Sequence, residues 1–282
     1  VLNGLPTRIL PLIDGDILTY QSAFGAQDRE SGQVFSFNMV EELLDKAVAD
    51  ICMAVGATEE PIIYLTGGIN FRDAIAKTKP YKGNRVQEKP FHYKNIRAHL
   101  QSYPNVVMTD GIEADDAMSI AQTANVEEYL RTKAEDHIHT VICTRDKDLR
   151  MVPGFHYGWE HHLQPEFHLQ WVDELGWLKY DEVSKKLSGT GFLFFCSQLI
   201  TGDSTDNIPG LPKKGPKKAY ETLHEATSEE ESLRRTKALY SETVGEDWEL
   251  YMREQGQLLW MVRKLNEDGS PVMWEIPWQE TK

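Results

Sequence analysis

Apolar and polar positions divide the chain into short buried runs and helical stripes. Arg8–Ile13 (RILPLI) is a short apolar run closed by Asp14-Gly15-Asp16, the pattern of a buried strand followed by a turn. Ile17–Phe24 starts a helix, and the alternation over Gln33–Phe37 predicts a short edge strand. From Met39 to Val55 the apolar residues fall at Val40, Leu43, Leu44, Ala47, Val48, Ile51 and Val55, the spacing of a helix with one apolar face. Pro61–Leu65 predicts a second buried strand, ending at Thr66-Gly67-Gly68, and Asn105–Met108 a third. A helix follows over Glu113–Arg131, a fourth strand over Ile138–Cys143 and a further one over Phe167–Val172. Short apolar strands alternating with helices predict an α/β fold with a mostly parallel central sheet and helices on both faces.

Two stretches depart from this alternation. Residues 72–103 are basic and poor in apolar residues, so they read as an insertion projecting from the core, partly helical over Lys89–Gln101. After about Leu187 the chain changes to helices separated by Gly/Pro breaks. The expected division is an α/β core over 1–187, with the insertion near 72–103, and a helical region over 188–282. Its tail, Gly269–Trp278, is expected as a strand or an extended packed segment. A length of 282 residues allows one large domain or two unequal ones.

Charge sharpens the picture through its distribution. The net charge is −14, which by itself disfavours a polyanionic partner. Yet between Arg72 and Arg97 eight basic residues (Arg72, Lys77, Lys79, Lys82, Arg85, Lys89, Lys94, Arg97) face only Asp73 and Glu88. Lys213, Lys214, Lys217 and Lys218 form a second basic island, while acids concentrate in Glu221–Glu254. Basic islands on an acidic protein steer a polyanion locally. No apolar run is long enough for a membrane span, the first residues lack a signal-peptide layout, and Cys52, Cys143 and Cys196 are scattered. These features predict no membrane partner and a reducing, cytoplasmic setting.

The candidate chemistry is carboxylate chemistry. Ligands of an open parallel sheet gather beyond the carboxyl ends of its strands. Asp14 follows the first strand, Glu113, Asp115 and Asp116 the third, and Asp146 and Asp148 the fourth, with Asp203 and Asp206 in the later helical region. Singly, each is an ordinary turn or cap residue. Together they share one sheet end. A like-charge pair about 4 Å apart opposes folding by about 4 kcal/mol at an effective dielectric of about 20, so several such pairs require cations. Oxygen-only donors suit Mg²⁺ or Mn²⁺, and two such ions about 4 Å apart suit phosphodiester hydrolysis. His156, His161, His162 and His168 lack the spacing of a zinc site. Leu199–Tyr220 (LITGDSTDNIPGLPKKGPKKAY) adds a helix, a Gly/Pro loop and a second helix starting near Pro216, with Lys213, Lys214, Gly215, Lys217 and Lys218 placed to hold a DNA phosphate. Tyr81, Phe91 and Tyr93, interleaved with bases, suit stacking on unpaired nucleotides.

Asp14-Gly15, YKGNR at Tyr81–Arg85, EADD at Glu113–Asp116, TRDKDL at Thr144–Leu149 and GDSTDNIPGLPKKGPKKA at Gly202–Ala219 occur in this order. In that ordered set the chain resembles the 5′ nuclease superfamily of flap endonucleases and bacterial polymerase 5′-nuclease domains. Its size and the GQLLWMVRKLN run at Gly256–Asn266 resemble the stand-alone 5′–3′ exonucleases of bacteriophages. The resemblance implies a 5′–3′ exonuclease with flap endonuclease activity, acting on DNA with 5′ ends, flaps or nicks through two metal ions. Asp14, Glu113, Asp115 and Asp116 would serve the first ion, and Asp146, Asp148, Asp203 and Asp206 the second. Lys82 and Arg85, at the base of a helical arch, would touch the scissile phosphate. Arg72 joins the basic residues expected to face DNA. The helix–turn–helix variant at Leu199–Tyr220 would hold the duplex, where relatives often bind K⁺. One position departs: Gly67 stands about where the family has an aspartate after the second strand. That glycine motivates the alternative, a DNA-binding protein of the same fold with weakened catalysis.

Overall fold

The structure is a computed structural model, and the residues described are 6–28, 31–85, 88–162 and 164–277. The chain begins with β1 (Ile9–Asp14), α1 (Gly15–Gly25), α2 (Phe37–Val55), β2 (Ile62–Asn70) and α3 (Phe71–Ile75). It continues with α4 (Tyr93–Leu100), β3 (Val106–Gly111), α5 (Ala114–Thr132), β4 (His139–Cys143), β5 (Gly154–Gly158) and β6 (Phe167–Val172). A hairpin of β7 (Leu178–Tyr180) and β8 (Leu187–Gly189) leads into α6 (Gly191–Thr201), α7 (Pro216–Leu223), α8 (Glu229–Val244) and α9 (Trp248–Leu259). The main sheet has the order β3-β2-β1-β4-β5-β6. The pairs β1–β2, β1–β4 and β4–β5 are parallel. The expected α/β architecture is present.

The described chain forms two compact units. The first comprises 1–68, 87–149 and 154–171, the second 69–86, 150–153 and 172–282. In the first, β1 and β4 are buried on both faces, which is why β1 reads as a continuous apolar run, while β4 buries His139 and Thr140 together with Val141, Ile142 and Cys143. Ile13, Leu44, Ile63, Leu65 and Val141 belong to its core. In the second, α6 is buried from Gly191 to Ile200. Phe195 packs edge-on against Trp260 and Trp274, at centroid distances of 4.8 and 5.4 Å.

Three expectations change. Gln33–Phe37 is not a strand: only Gln27 and Val34 bridge, and Ser36 is already the N-cap of α2. The second strand does not stop at Leu65 but runs through Gly67 and Gly68 to Asn70. The basic stretch does not simply project, because α4 sends Ile96 and Leu100 into the core of the first unit. Arg72, in the other unit, is also buried. Of the two forms expected for the tail, the packed segment is found: it carries an isolated Leu265–Pro271 bridge and buries Trp274 and Ile276; Trp278 lies outside the described residues. Strand β5 was not foreseen because three side chains between two glycines are too few to set a period. Among the described residues no helix is long and apolar enough to cross a membrane.

Candidate active site

The carboxyl edge of the first unit's sheet gathers the acids through local backbone geometry. Asp14 ends β1 and caps α1: its Oδ1 accepts from the Ile17 N–H at 2.9 Å, and its Oδ2 accepts from the Thr144 hydroxyl at 2.6 Å. Thr144 Oγ1 in turn accepts from the Asp146 N–H at 2.9 Å, and Asp146 Oδ1 from the Asp148 N–H at 2.8 Å. One hydroxyl thus ties the end of β1 to the turn after β4. Glu113 is the N-cap of α5 in a capping box closed by Asp116, whose Oδ2 accepts from the Glu113 N–H at 3.2 Å. Asp115 lies half-buried in the first turn of the same helix.

Asp14 is 5 % exposed. Burial raises its carboxyl to about 7, and the charge of Asp16 adds to the rise. Hydrogen bonds from Ile17 and Thr144 oppose it, and Asp146 adds a smaller push upward. A carboxylate this reluctant to ionise gains most from a neighbouring cation. The donor set is oxygen only, which fits a hard divalent ion. Asp14, Glu113, Asp116 and Asp146 each accept from a nearby backbone or hydroxyl donor and Asp148 from Lys147, and among the described residues no three Asp, Glu, His or Cys side chains form a finished metal cage. The four weighed histidines do not form one either. His156 lies buried beside Gln122, and His168 is exposed and paired with Glu166.

Sequence reasoning missed Asp16, Thr66 and Arg97. Asp16 accepts from the Thr66 N–H at 3.0 Å and from Arg97 Nη1 at 2.5 Å. Arg97 also donates to the Thr66 carbonyl at 2.5 Å, and the Thr66 hydroxyl accepts from the Ala114 N–H at 2.9 Å. Thr66 therefore fixes the start of α5 against the middle of β2. The available signals were the second acid of Asp14-Gly15-Asp16 and the helical position of Arg97.

Gly67 has a different meaning from a vacant ligand position. A Cβ built there would lie 2.2 Å from the Thr109 carbonyl oxygen of β3. Glycine lets β2 and β3 approach, and an aspartate cannot enter without moving a backbone.

In the second unit, Gly202 and Gly210 close a loop after α6. Both have positive φ, 70° and 61°, and a Cβ on either would meet backbone at 2.2 Å. Asp203 and Ile208 exchange backbone hydrogen bonds of 2.9 and 2.8 Å, and Asp203 Oδ1 accepts from the Thr205 N–H at 2.7 Å. Asp203 is 4 % exposed. Asp206 accepts from the Tyr81 hydroxyl at 2.9 Å and from Arg85 Nη2 at 2.7 Å, with Lys82 Nζ at 3.8 Å. The expected helix start is met at α7, with Gly215 as N-cap and Pro216 in the first turn. Lys213, Lys217 and Lys218 are exposed and Lys214 is half-buried.

Arg72 is a correction. It is 1 % exposed, and it donates from Nε to the Leu258 carbonyl and from Nη2 to the Trp260 carbonyl, each at 2.9 Å. It holds the carboxyl end of α9 and has no surface to offer DNA.

No family model matches the chain. DNA polymerase I of Rhizobium leguminosarum is 27% identical over 199 residues, 69% of this chain and 18% of the polymerase. The chain therefore spans far less than the length of that relative. A T5 protein co-crystallised with metal ions has a similar structure, with TM-score 0.53, 15% identity and 88% of each chain covered. The T5 5′-exonuclease with bound zinc ions gives TM-score 0.50 and 14% identity, covering 90% of this chain and 100% of the other.

Proposed function

We propose that this chain, which carries the 5′ nuclease fold, is a divalent-metal-dependent 5′–3′ exonuclease that also cuts 5′ flaps of DNA. The observation that supports this most is the row of acids at the carboxyl edge of the parallel strands: Asp14, Glu113, Asp115, Asp116, Asp146 and Asp148, with Asp14 buried and raised to about 7. When bound there, Mg²⁺ or Mn²⁺ supplies Lewis acidity toward the phosphodiester and acidifies water.

The residues of the chain do the rest. Thr144 and the Ile17 N–H keep Asp14 oriented. The capping box holds Glu113 and Asp116 at the start of α5. Lys82 and Arg85 meet the negative charge that grows on the phosphate. Lys213, Lys214, Lys217 and Lys218, with the amino end of α7, grip a duplex phosphate. The recognised substrate is accordingly DNA with a 5′ end, flap or nick.

End-labelled flap, nicked and blunt duplexes test this, incubated with and without Mg²⁺ or Mn²⁺. Cleavage is expected only with metal, and Asp146→Ala should lower it by about 10³-fold or more while DNA affinity stays equal or tightens. A wild-type protein that binds flaps but cuts none with either metal would leave the DNA-binding alternative standing. Wild-type rates in Asp146→Ala would sink the metal assignment.

A further inference from the structure

The loop of Asp206 is joined to the loop of Lys82 and Arg85 within the second unit. Three backbone acceptors contribute: the Asp206 carbonyl accepts from the Lys82 N–H at 3.0 Å, the Ser204 carbonyl from the Asn84 amide at 2.7 Å, and the Pro80 carbonyl from the Asn207 amide at 2.8 Å. Lys82 is held at φ 51°, a left-handed conformation that a lysine rarely adopts unless its surroundings impose it. At the centre stands the Asp206 carboxylate. Oδ1 takes Arg85, while Oδ2 takes the Tyr81 hydroxyl and faces Lys82. Tyr81 is itself buried, and Lys82 Nζ lies 4.9 Å from its ring centroid.

A carboxylate has about four acceptor positions. Here two are filled by hydrogen bonds and the anion faces two cations. Such a group is poorly disposed to give up an oxygen to a metal ion, which competes with the same lysine and arginine. Within the trio one anion faces two cations, so Asp206 alone does not neutralise Lys82 and Arg85, and both remain able to meet a phosphate. We propose that Asp206 is a positioning residue: it presets Lys82 and Arg85 for the scissile phosphate and is not a metal ligand. The inference rests on the nuclease reading above. Its physical content is preorganisation. Two long side chains lose their rotamer freedom in the free protein, and none of that ordering is left to the transition state.

The test uses D206N, which keeps shape and loses charge, and Y81F, which removes one hydrogen bond and guards against a fold defect in the first variant. Three quantities are measured: single-turnover flap cleavage in Mg²⁺, flap affinity in Ca²⁺, and Mn²⁺ binding by calorimetry without DNA. D206N should slow cleavage by about 10–100-fold, with flap affinity equal or tighter and Mn²⁺ stoichiometry and affinity unchanged. Y81F should move the rate in the same direction by less. In a K82A/R85A background D206N should add less than about twofold, since its partners are gone. Loss of a Mn²⁺ site, a multiplied rate loss in that background, or a D206N rate within about twofold of wild type would each overturn the proposal. A wild-type protein that cuts nothing refutes the nuclease reading instead. Asp206 is then judged by Mn²⁺ binding and by the coupling of D206N to K82A/R85A in flap affinity, where retained metal and non-additive effects support it and their opposites overturn it.

Discussion

The two acid-bearing regions are built on opposite plans. At the sheet edge of the first unit, each acid sits where regular structure ends: Asp14 between β1 and α1, Glu113 and Asp116 at the start of α5, Asp146 just past β4. In the second unit, Asp203 and Asp206 sit in a closed loop whose shape depends on two left-handed glycines. The first plan needs only strands and helices in the right order. The second needs a backbone fold that few residues tolerate, plus a partner loop far away in sequence. The edge should therefore be robust to substitutions between its acids, and the loop brittle.

Gly202→Ala is the strongest test of that contrast. It adds a Cβ 2.2 Å from the Ile208 carbonyl oxygen at a φ of 70°. The clash and the strain together should destabilise by about 4 kcal/mol, measured by urea unfolding. A change below about 1 kcal/mol would show that the loop relaxes freely.

Gly67→Ala probes a brittle point of the sheet edge. Its Cβ would lie 2.2 Å from Thr109 O, but its φ is not left-handed, so only the clash acts. About 3 kcal/mol of destabilisation is expected. Gly67→Asp should be at least as damaging, and it should not lower the Mg²⁺ requirement for cleavage. A stable Gly67→Asp protein with tighter Mg²⁺ use would restore the vacant-ligand explanation.

Lys213→Ala combined with Lys214→Ala asks whether the second unit also binds duplex. Each lost phosphate contact should reduce the slope of log affinity against log salt by about 1, with roughly tenfold weaker binding near physiological salt. An unchanged slope makes these lysines ordinary solvated charges.

The smallest effect lies at the opposite, amino end of β4. His139 is 8 % exposed, and its imidazole is pushed down to about 4, first by burial and then by His137. Between about pH 4 and 6.5 the unfolded chain binds the extra proton and the folded chain does not. This group therefore makes stability rise with pH across that window and fall on acidification. His139→Phe should reduce the stability difference between pH 5 and pH 7 by on the order of 1 kcal/mol, read from chemical denaturation at both values. An unchanged difference would mean the imidazole protonates freely in the folded protein.

Much of the framework was legible from residue order alone. Apolar runs placed β1, β2, β3 and β4 to within a few residues at their starts: β1 because a strand buried on both faces reads as a continuous apolar run, β3, at the sheet's edge, through Val106-Val107-Met108 alone. Asp14, Glu113 and Asp146 were legible for a related reason: an acid just past a buried strand falls at the sheet's carboxyl edge whatever the packing. Pro216 marked the start of α7 because its fixed φ suits a first helical turn. What only the tertiary structure decided depends on partners distant in the chain. Arg72 looked like one more surface cation, yet the carbonyls of Leu258 and Trp260 draw it inside. Gly67 looked like a missing carboxylate, yet the Thr109 carbonyl of the neighbouring strand requires a residue without a side chain. Asp206 looked like its neighbour Asp203, yet Tyr81, Lys82 and Arg85 close around its carboxylate. Periodicity reports which way a side chain must face, because burial of apolar area is local and additive. It does not report which polar partner waits there, since a hydrogen bond is directional and its other half can lie more than a hundred residues away.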